Sequence, residues 1–544
     1  MINMQFINNE SKGWTQLKVN NFIIWHTRQF QKKHIKEIKK IILKNNELNI
    51  KALKLLFLNI DYHFGLVLNY NNIVIAATDV ARTYPLFYNY KNNKIVISPQ
   101  ARIIANIKGM PIDKENLISY RMSGYTVGKG TLWKDINGLL AGQFLVFNKK
   151  ISITTYYNSL SNNNNNNYNY KDKLKENIFS LIEHTISKAD GRRIVIPLSA
   201  GLDSRLIASG LKHMGYKNVT CFSYGLKNNF EATTAKKIAC ALNYDWKFIE
   251  ISQKKIKKFY KSELYLSYFT NNIDGCSTPG IQDIYPIYKL KKLKYFTDED
   301  IIVNGNSGDF TTGGHLPKKS LEWHNTINLK NAFNQSINTY LSKHHSLWEK
   351  LRNKKNDSII KKLLFKQLQE YPLKLEKDIN PFVLYELLEF HNRQSKFVIN
   401  LQRIYDFYEI DWLLPLWNKE VIDFWKDVPL KEKIGQKLYK SILYELNLAN
   451  VWSQEYNSKQ TISPGWISPL RILMKSAHVL SSHEKWHKFE KKYLNYWTDN
   501  ICGYSMHKYK NIIQNNFNAR NSIAWHTLTS EKQLFKKNWQ DLNK

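Results

Sequence analysis

Six consecutive residues, Ser199-Ala200-Gly201-Leu202-Asp203-Ser204, combine hydroxyls, a glycine and a carboxylate. They fall between an apolar run, Ile194 to Leu198, and apolar residues at helical spacing, Leu206, Ile207, Leu211 and Met214. The pattern predicts strand, loop and helix. The first amides of such a helix are unpaired donors at a partially positive end, and they favour an anion. Gly201 would let the backbone approach that anion closely and would tolerate positive φ, and Ser199 and Ser204 would add hydroxyl donors. Asp203 would repel a bare phosphate, so its presence implies a bridging Mg²⁺, which prefers carboxylate and phosphate oxygens. The plainer reading is a Ser- and Asp-capped helix start. The lysine of the GxxxxGK[ST] phosphate loop is missing. A second Gly-rich segment, Asn304-Gly305-Asn306-Ser307-Gly308-Asp309, follows the apolar run Ile301 to Val303 and precedes Gly313-Gly314-His315.

The surrounding pattern supplies the elements these loops need. Leu174, Ile178, Leu181, Ile182 and Ile186 predict a helix. Val219 to Tyr224, closed by Gly225, predicts a strand, and Glu231 to Leu242 a helix with Ala235, Ile238, Ala239 and Leu242 on one face. Trp246, Phe248 and Ile249 begin a further strand. Strand and helix in alternation predict an α/β parallel sheet with helices on its faces, and such sheets bind ligands at the carboxyl ends of their strands. Upstream, residues 50 to 157 read as β-rich, in the runs Leu55–Leu58, Phe64–Leu68, Ile73–Ala77, Ile95–Ile97 and Phe144–Phe147, with hairpin signals at Asn71-Asn72 and Asn92-Asn93. Ser161 and the asparagine run 162–167 read as a linker. Residues 320 to 450, including Phe382 to Tyr405, are mainly helical in pattern, and the tail after about 470 is helical, basic and aromatic.

The chain has 544 residues, which at ~150 residues per domain allows two to four domains. With 43% hydrophobic and 23% charged residues, the composition is that of a globular chain. Lys plus Arg number 80 against 45 Asp plus Glu, a net charge of +35. The basic residues are scattered rather than gathered, which fits solvated faces better than a nucleic-acid stripe. No apolar run reaches the ~18 residues of a membrane span, and Met1 to Phe6 lacks the zones of a secretory signal. Four cysteines with no CxxC pair fit a reducing cytoplasm. His483-Glu484-Lys485-Trp486-His487 fits HExxH, but it continues into Lys488, Lys491 and Lys492 with no third ligand in view, so it reads as a solvated basic helix.

The first loop resembles the SGGxDS pyrophosphate-binding loop of the PP-loop ATPases, in particular the asparagine synthetase family, with Ala200 at the second glycine. The second resembles that family's GxGxDE loop. Phe222-Ser223-Tyr224-Gly225 resembles the strand end lining the adenine, and Glu231 with Ala235 the helix that follows it. Leu414-Pro415-Leu416-Trp417-Asn418, Phe424 to Pro429 and Lys437-Leu438-Tyr439-Lys440 resemble a later conserved stretch. The resemblance spans about 170 to 450. It implies Mg-ATP cleaved between the α and β phosphates, with the pyrophosphate on Ser199, Gly201, Asp203 and Ser204. It also implies an adenosine near Ser223, Gly225 and Gly305, Mg²⁺ on Asp203 and Asp309, and Lys437 beside the reacting carbonyl. The family's Glu aligns with Asn306, and Phe310 follows Asp309 in place of a second Glu. An amide cannot act as a base, which puts synthesis of free asparagine in question though not adenylation.

The segment Asp79-Val80-Ala81-Arg82-Thr83-Tyr84-Pro85-Leu86-Phe87-Tyr88, with Gly124 to Val127, Gly130 to Leu132 and Ala141-Gly142, resembles class II glutamine amidotransferase domains. Those use an N-terminal Cys, whereas here Met1 and Ile2 come first and the first cysteine is Cys221. The expected architecture is a degenerate α+β amidotransferase-like sheet domain over 1–160 and an adenine-nucleotide-hydrolase-like α/β PP-loop domain over 168–470. A basic helical extension over 471–544 follows. The expected activity is an ATP-dependent carbon–nitrogen ligase that adenylates a small-molecule carboxylate. The nitrogen would be ammonia, free or from a separate glutaminase partner, or an amine. The alternative is a PP-loop tRNA-modifying enzyme, which the charge favours and the absence of paired cysteines disfavours.

Overall fold

The computed structural model describes residues 3–8, 12–43, 48–148, 150–159, 169–371, 379–453, 456, 465–479 and 482–536. The asparagine-rich linker and the first two residues lie outside them. Among the described residues, the amino-terminal part holds ten strands: β1 (Asn3–Phe6), β2 (Trp14–Val19), β3 (Phe22–Thr27), β4 (Gly65–Tyr70), β5 (Ile73–Thr78), β6 (Phe87–Lys91), β7 (Lys94–Ser98), β8 (Asn137–Gly138), β9 (Gln143–Asn148) and β10 (Lys150–Thr155). They form a four-stranded sheet, β1-β7-β6-β8, and a six-stranded sheet, β10-β9-β5-β4-β3-β2. Alternation along the strands decides which face each residue serves. Val67, Val74, Ile95 and Leu145 fill the space between the sheets. Leu66, Leu68 and Ile75 point the other way, onto Ile38 and Phe57. Helices Lys32–Leu43 and Ile50–Leu58 therefore cover the outer face of one sheet, while Ala101–Lys108 and Lys114–Ser123 cover the other, through Ile104 and Tyr120. The result is four layers, helix, sheet, sheet and helix.

The sequence reading is corrected at two places here. Leu55 to Leu58 is the end of a helix, not a strand: Leu53 and Phe57 are buried one turn apart, and the Asn49 side chain caps the amide of Ala52. Strands β1 to β3 precede the stretch read as β-rich. The two asparagine turns are hairpins as predicted, with Asn71, Asn92 and Asn93 at positive φ.

The second half is built on five parallel strands, β11 (Ile194–Pro197), β12 (Val219–Gly225), β13 (Asp245–Glu250), β14 (Ile301–Val303) and β15 (Asp411–Leu413), in the order β13-β12-β11-β14-β15. Ile194, Val195 and Ile196 are buried because both faces are covered. Helices Tyr170–Ala189, Leu202–His213 and Phe230–Ala241 pack one face through Ile178, Leu206 and Ile238. Ile284 and Ile287 of helix Ile284–Lys292 pack the other, in a core continuous with that of the first half. The strand order reverses between β11 and β14, and the crevice at such a reversal is where open α/β sheets bind ligands.

The carboxyl-terminal segment is helical, as expected, but it is not an appendage. Helix Ser522–Phe535 returns to the first half, where Glu531 pairs with Arg121 at 2.6 Å and Ser530 accepts from Tyr120 at 2.7 Å. The expected boundary at 470 falls inside helix Ser468–Val479. Among the described residues, no helix is long and apolar enough to cross a membrane.

Candidate functional site

The two Gly-rich segments leave the carboxyl ends of β11 and β14, the strands flanking the reversal. They face one open cleft, lined by Ser199, Gly201, Asp203 and Ser204 from the first and by Asn304, Gly305 and Asn306 from the second. In the first loop the Ser204 hydroxyl accepts the Ser199 amide at 3.1 Å, and the Ser199 hydroxyl accepts the Gly201 amide at 3.1 Å. Gly201 has φ −68°, so the expected positive φ is not used. A Cβ there would touch only Ser199 Oγ, at 3.1 Å. No side chain caps helix Leu202–His213, so its first-turn amides keep their donor capacity. Buried Arg205 fixes the loop from behind by donating to the Ala200 and Tyr456 carbonyls, at 2.8 and 2.9 Å.

The second loop is pressed onto Asp203. A Cβ on Gly305 would lie 2.7 Å from Asp203 Cβ, and one on Gly308 2.5 Å from Asp203 Cγ. Both contacts are far below van der Waals distance, so only glycine allows this approach. Ser307 turns the chain at φ +68°, a conformation that favours glycine, and its hydroxyl donates to Gln394 at 3.1 Å. Burial, then the nearby Asp309 charge, pushes the Asp203 carboxyl up to about 7, against a 3.1 Å hydrogen bond from the Tyr439 hydroxyl. Burial also acts to raise Asp309. The His315 hydrogen bond and charge, with Arg393, outweigh it and hold Asp309 below its ordinary value. Asp309 is 58% exposed and lies 2.8 Å from His315 Nε2. His315 Nδ1 meets Glu389, which is fully buried and also lies 2.9 Å from His344 Nε2. The donor set fits Mg²⁺: two interacting carboxylates leave the rest of an octahedral shell to phosphate oxygens and water.

The adjacent part of the cleft runs across the end of β12, over Leu198, Phe222, Ser223 and Tyr224. The Ser223 hydroxyl is engaged within the wall, donating to Leu198 O at 2.7 Å and accepting from Trp246 at 2.9 Å. The floor is a buried network. Tyr224 and Tyr405 each donate to Asp283 at 2.5 Å, and Asn304 Nδ2 lies 3.2 Å from Gln402 Oε1. Asn306 lines the cleft, its amide N–H donating to Asn304 Oδ1 at 3.1 Å.

The structure thus brings Ser199, Gly201, Asp203, Ser204, Ser223 and Gly305 to one cleft, with Asp309 beside Asp203 and Gly225 at the far end. It does not bring Lys437 there. That side chain is 65% exposed and paired with Glu432 at 3.0 Å, while Tyr439 of the same helix turns inward to Asp203. His315, Glu389 and Tyr439 went unassigned in the sequence, as did Asn500 and Ile501, which also line the cleft. Gly313-Gly314-His315 was visible only as a neighbour of the second loop, and the others are far away in the chain. The HExxH helix places Trp486 in the interior, leaves His487 72% exposed and pairs Glu484 with Lys488 at 2.8 Å.

Comparison with known proteins adds a family to this geometry. The chain has no match among curated proteins. It is similar to an NH3-dependent NAD synthetase from Campylobacter jejuni subsp. jejuni NCTC 11168, at 19% identity over 43% of this chain and 96% of that one, with a TM-score of 0.22. It is also similar to a glutamine phosphoribosylpyrophosphate amidotransferase from B. subtilis, at 9% identity over 46% of this chain and 75% of that one, with a TM-score of 0.18. TM-scores this low leave both similarities without bearing on the fold. The stretch that carries β11 to β15 and both loops has a family match. Residues 187–447, just under half of the chain, thus match the asparagine synthase family.

Proposed function

We propose that this protein activates a carboxylate with ATP and joins it to ammonia or an amine. The observation that carries the reading is the meeting of two Gly-rich loops at the strand-order reversal, with Gly305 and Gly308 packed against Asp203. In this scheme the uncapped amides and the hydroxyls of Ser199 and Ser204 hold the β and γ phosphates. Asp203 and Asp309 hold Mg²⁺, which when bound neutralises charge on the leaving pyrophosphate. Tyr439 orients Asp203 and His315 orients Asp309. The substrate carboxylate attacks the α phosphorus, the bond to the bridging α–β oxygen breaks, and pyrophosphate leaves with that oxygen. A neutral amine then attacks the acyl carbon, AMP departs with the carboxylate-derived oxygen, and one proton is released. Holding both partners in place supplies much of the rate.

The amidotransferase-like reading of residues 1–160 stands as a proposal of a shell without glutaminase chemistry, since that stretch contains no cysteine. Release of glutamate from glutamine by this chain alone would overturn it. The ligase reading is tested by following AMP and pyrophosphate from ATP across a panel of carboxylic acids with an amine or ammonia. Acid-dependent AMP release, reduced at least 100-fold by Asp203→Ala, is expected. Turnover of ATP to ADP that is indifferent to the substitution contradicts the mechanism, and salt-sensitive retention of RNA would favour the tRNA-modifying alternative.

A further inference from the structure

The far wall of the cleft comes from outside the stretch that matches the asparagine synthase family. The carboxyl-terminal chain returns over the sheet and places the turn 499–503 at the end of β12, where Asn500 and Ile501 join the cleft lining. Asn500 Oδ1 accepts the Leu226 amide at 3.0 Å, and Asn500 Nδ2 lies 3.4 Å from Glu231 Oε2. A Cβ on Gly225 would come within 2.0 Å of Asn500 Oδ1, so the strand end and this asparagine are fitted to one another. The turn is fixed from below, where Asp499 accepts the amides of Ile501 and Gly503 at 3.3 and 2.9 Å. Cys502 and Gly503 are buried.

Position decides what this wall faces. With phosphates on the β11 and β14 loops, a nucleoside has two directions along the sheet edge. Towards β15 the Leu416 side chain packs onto Gly308, 2.5 Å from a built Cβ, and the residues lining the cleft include none from β15. Towards β12 the cleft stays open between apolar surfaces, including Leu198, Phe222 and Ala232. A flat base lying there would present its polar edge to Glu231 and Asn500. A carboxylate accepts from an exocyclic amine and a carboxamide donates to a ring nitrogen. Adenine carries an amine at C6, whereas guanine carries a carbonyl oxygen there, which a carboxylate repels.

We propose that Asn500 and Glu231 are the base-reading residues of the cleft, so that the carboxyl-terminal segment completes the nucleotide site and selects adenine over guanine. This deepens the ligase reading and rests on its placement of ATP. A site built to pair a polar edge discriminates strongly, because the wrong partner leaves its groups unsatisfied.

The test is equilibrium binding of ATP, GTP and inorganic pyrophosphate, each with Mg²⁺, to the full chain. The wild type is expected to prefer ATP to GTP at least ten-fold. Asn500→Ala and Glu231→Gln should each weaken ATP at least five-fold and shrink the preference to three-fold or less, leaving pyrophosphate affinity unchanged. Asn500→Asp keeps the acceptor for Leu226 and replaces the donor to Glu231 with a second carboxylate, so it should lose the preference, with thermal unfolding of the free variant as the check that it is folded. Hydrogen exchange of the wild type supplies a readout free of mutation: ATP should protect residues 495–506, and pyrophosphate should not. ATP affinity and selectivity unchanged in the Asn500 variants, or no protection by ATP, overturns the proposal while an Asp203-dependent ATP site still stands. No binding of ATP or pyrophosphate by the wild type overturns the ligase reading and this inference together.

Discussion

At the scale of single residues, Asp203 and Asp309 are unequal partners. Asp203 is crowded by two glycine backbones and pushed towards the protonated form by burial, whereas Asp309 is exposed and held ionised by His315. A dication would remove the repulsion between them. Asp203 was legible from the strand, loop and helix around it, whereas Asp309 was assigned only through the resemblance of its loop to a family pattern. The shell around them was not legible. Glu389 reaches His315 from 74 residues away and Tyr439 reaches Asp203 from 236 away, and no local pattern encodes such contacts. Lys437 shows the opposite failure, since a one-dimensional match cannot say which side of a helix faces the cleft. Exposed and paired with Glu432, Lys437 has no part in the scheme, so Lys437→Ala should leave turnover and ATP affinity close to those of the wild type. Steady-state kinetics beside a binding titration checks this, and a marked loss of turnover with ATP affinity unchanged would restore the side chain to the reacting carbonyl.

At the scale of elements, the decisive piece is the rod from Pro381 to Phe407, which passes from α-helix through a π stretch, Phe390–Val398, and a 3₁₀ turn back to α-helix. The wider turn lets its side chains serve two halves of the molecule. Glu389 and Gln394 face the His315 side, and Gln394 accepts from Ser307. Asn392 accepts the Gly128 amide at 2.9 Å, and buried Lys396 donates to the Thr126 and Gly128 carbonyls at 2.8 and 2.6 Å. Arg82 closes the same seam, bonding Ser395 O at 3.1 Å. Lys396→Met leaves those two carbonyls without their charged donor and should destabilise the protein by about 3 kcal/mol. Urea unfolding measures it, and a loss under about 0.5 kcal/mol would show the seam to be held elsewhere. The parallel strands were readable because strands covered on both faces are short apolar runs. Helix Ile50–Leu58 was misread because Leu55, which is 61% exposed, breaks the contrast that reveals a helical period. Strand β15, three residues long, is too short to carry any period.

At the scale of the whole molecule, the carboxyl-terminal segment is a structural clasp and a wall of the cleft, and its sequence showed only basic, aromatic helices. The core that joins these parts encloses many histidines. Burial, the largest influence on each, pushes His344 and His507 down to about 4 and His391 and His526 down to about 3. These groups stay neutral in the native protein while the unfolded chain takes up protons below about 6.5. Their contribution is therefore complete above pH ~6.5 and is lost as pH falls towards their native values, each by up to about 1.4 kcal/mol per pH unit. Asp203, raised to about 7, acts in the opposite sense, as do other buried carboxyls that burial raises, such as Asp283 and Asp499, while burial also lowers His63, His184 and His345. Urea midpoints should accordingly fall between pH 7 and pH 5, and a midpoint that rises over that interval would contradict this balance.

The most direct trial of the central claim is a crystal structure of the full chain with a non-hydrolysable ATP analogue, α,β-methylene ATP, and Mg²⁺. The β and γ phosphates should lie on the Ser199–Ser204 loop with the cation between Asp203 and Asp309. An analogue bound at saturating concentration with its phosphates anywhere else would contradict the account.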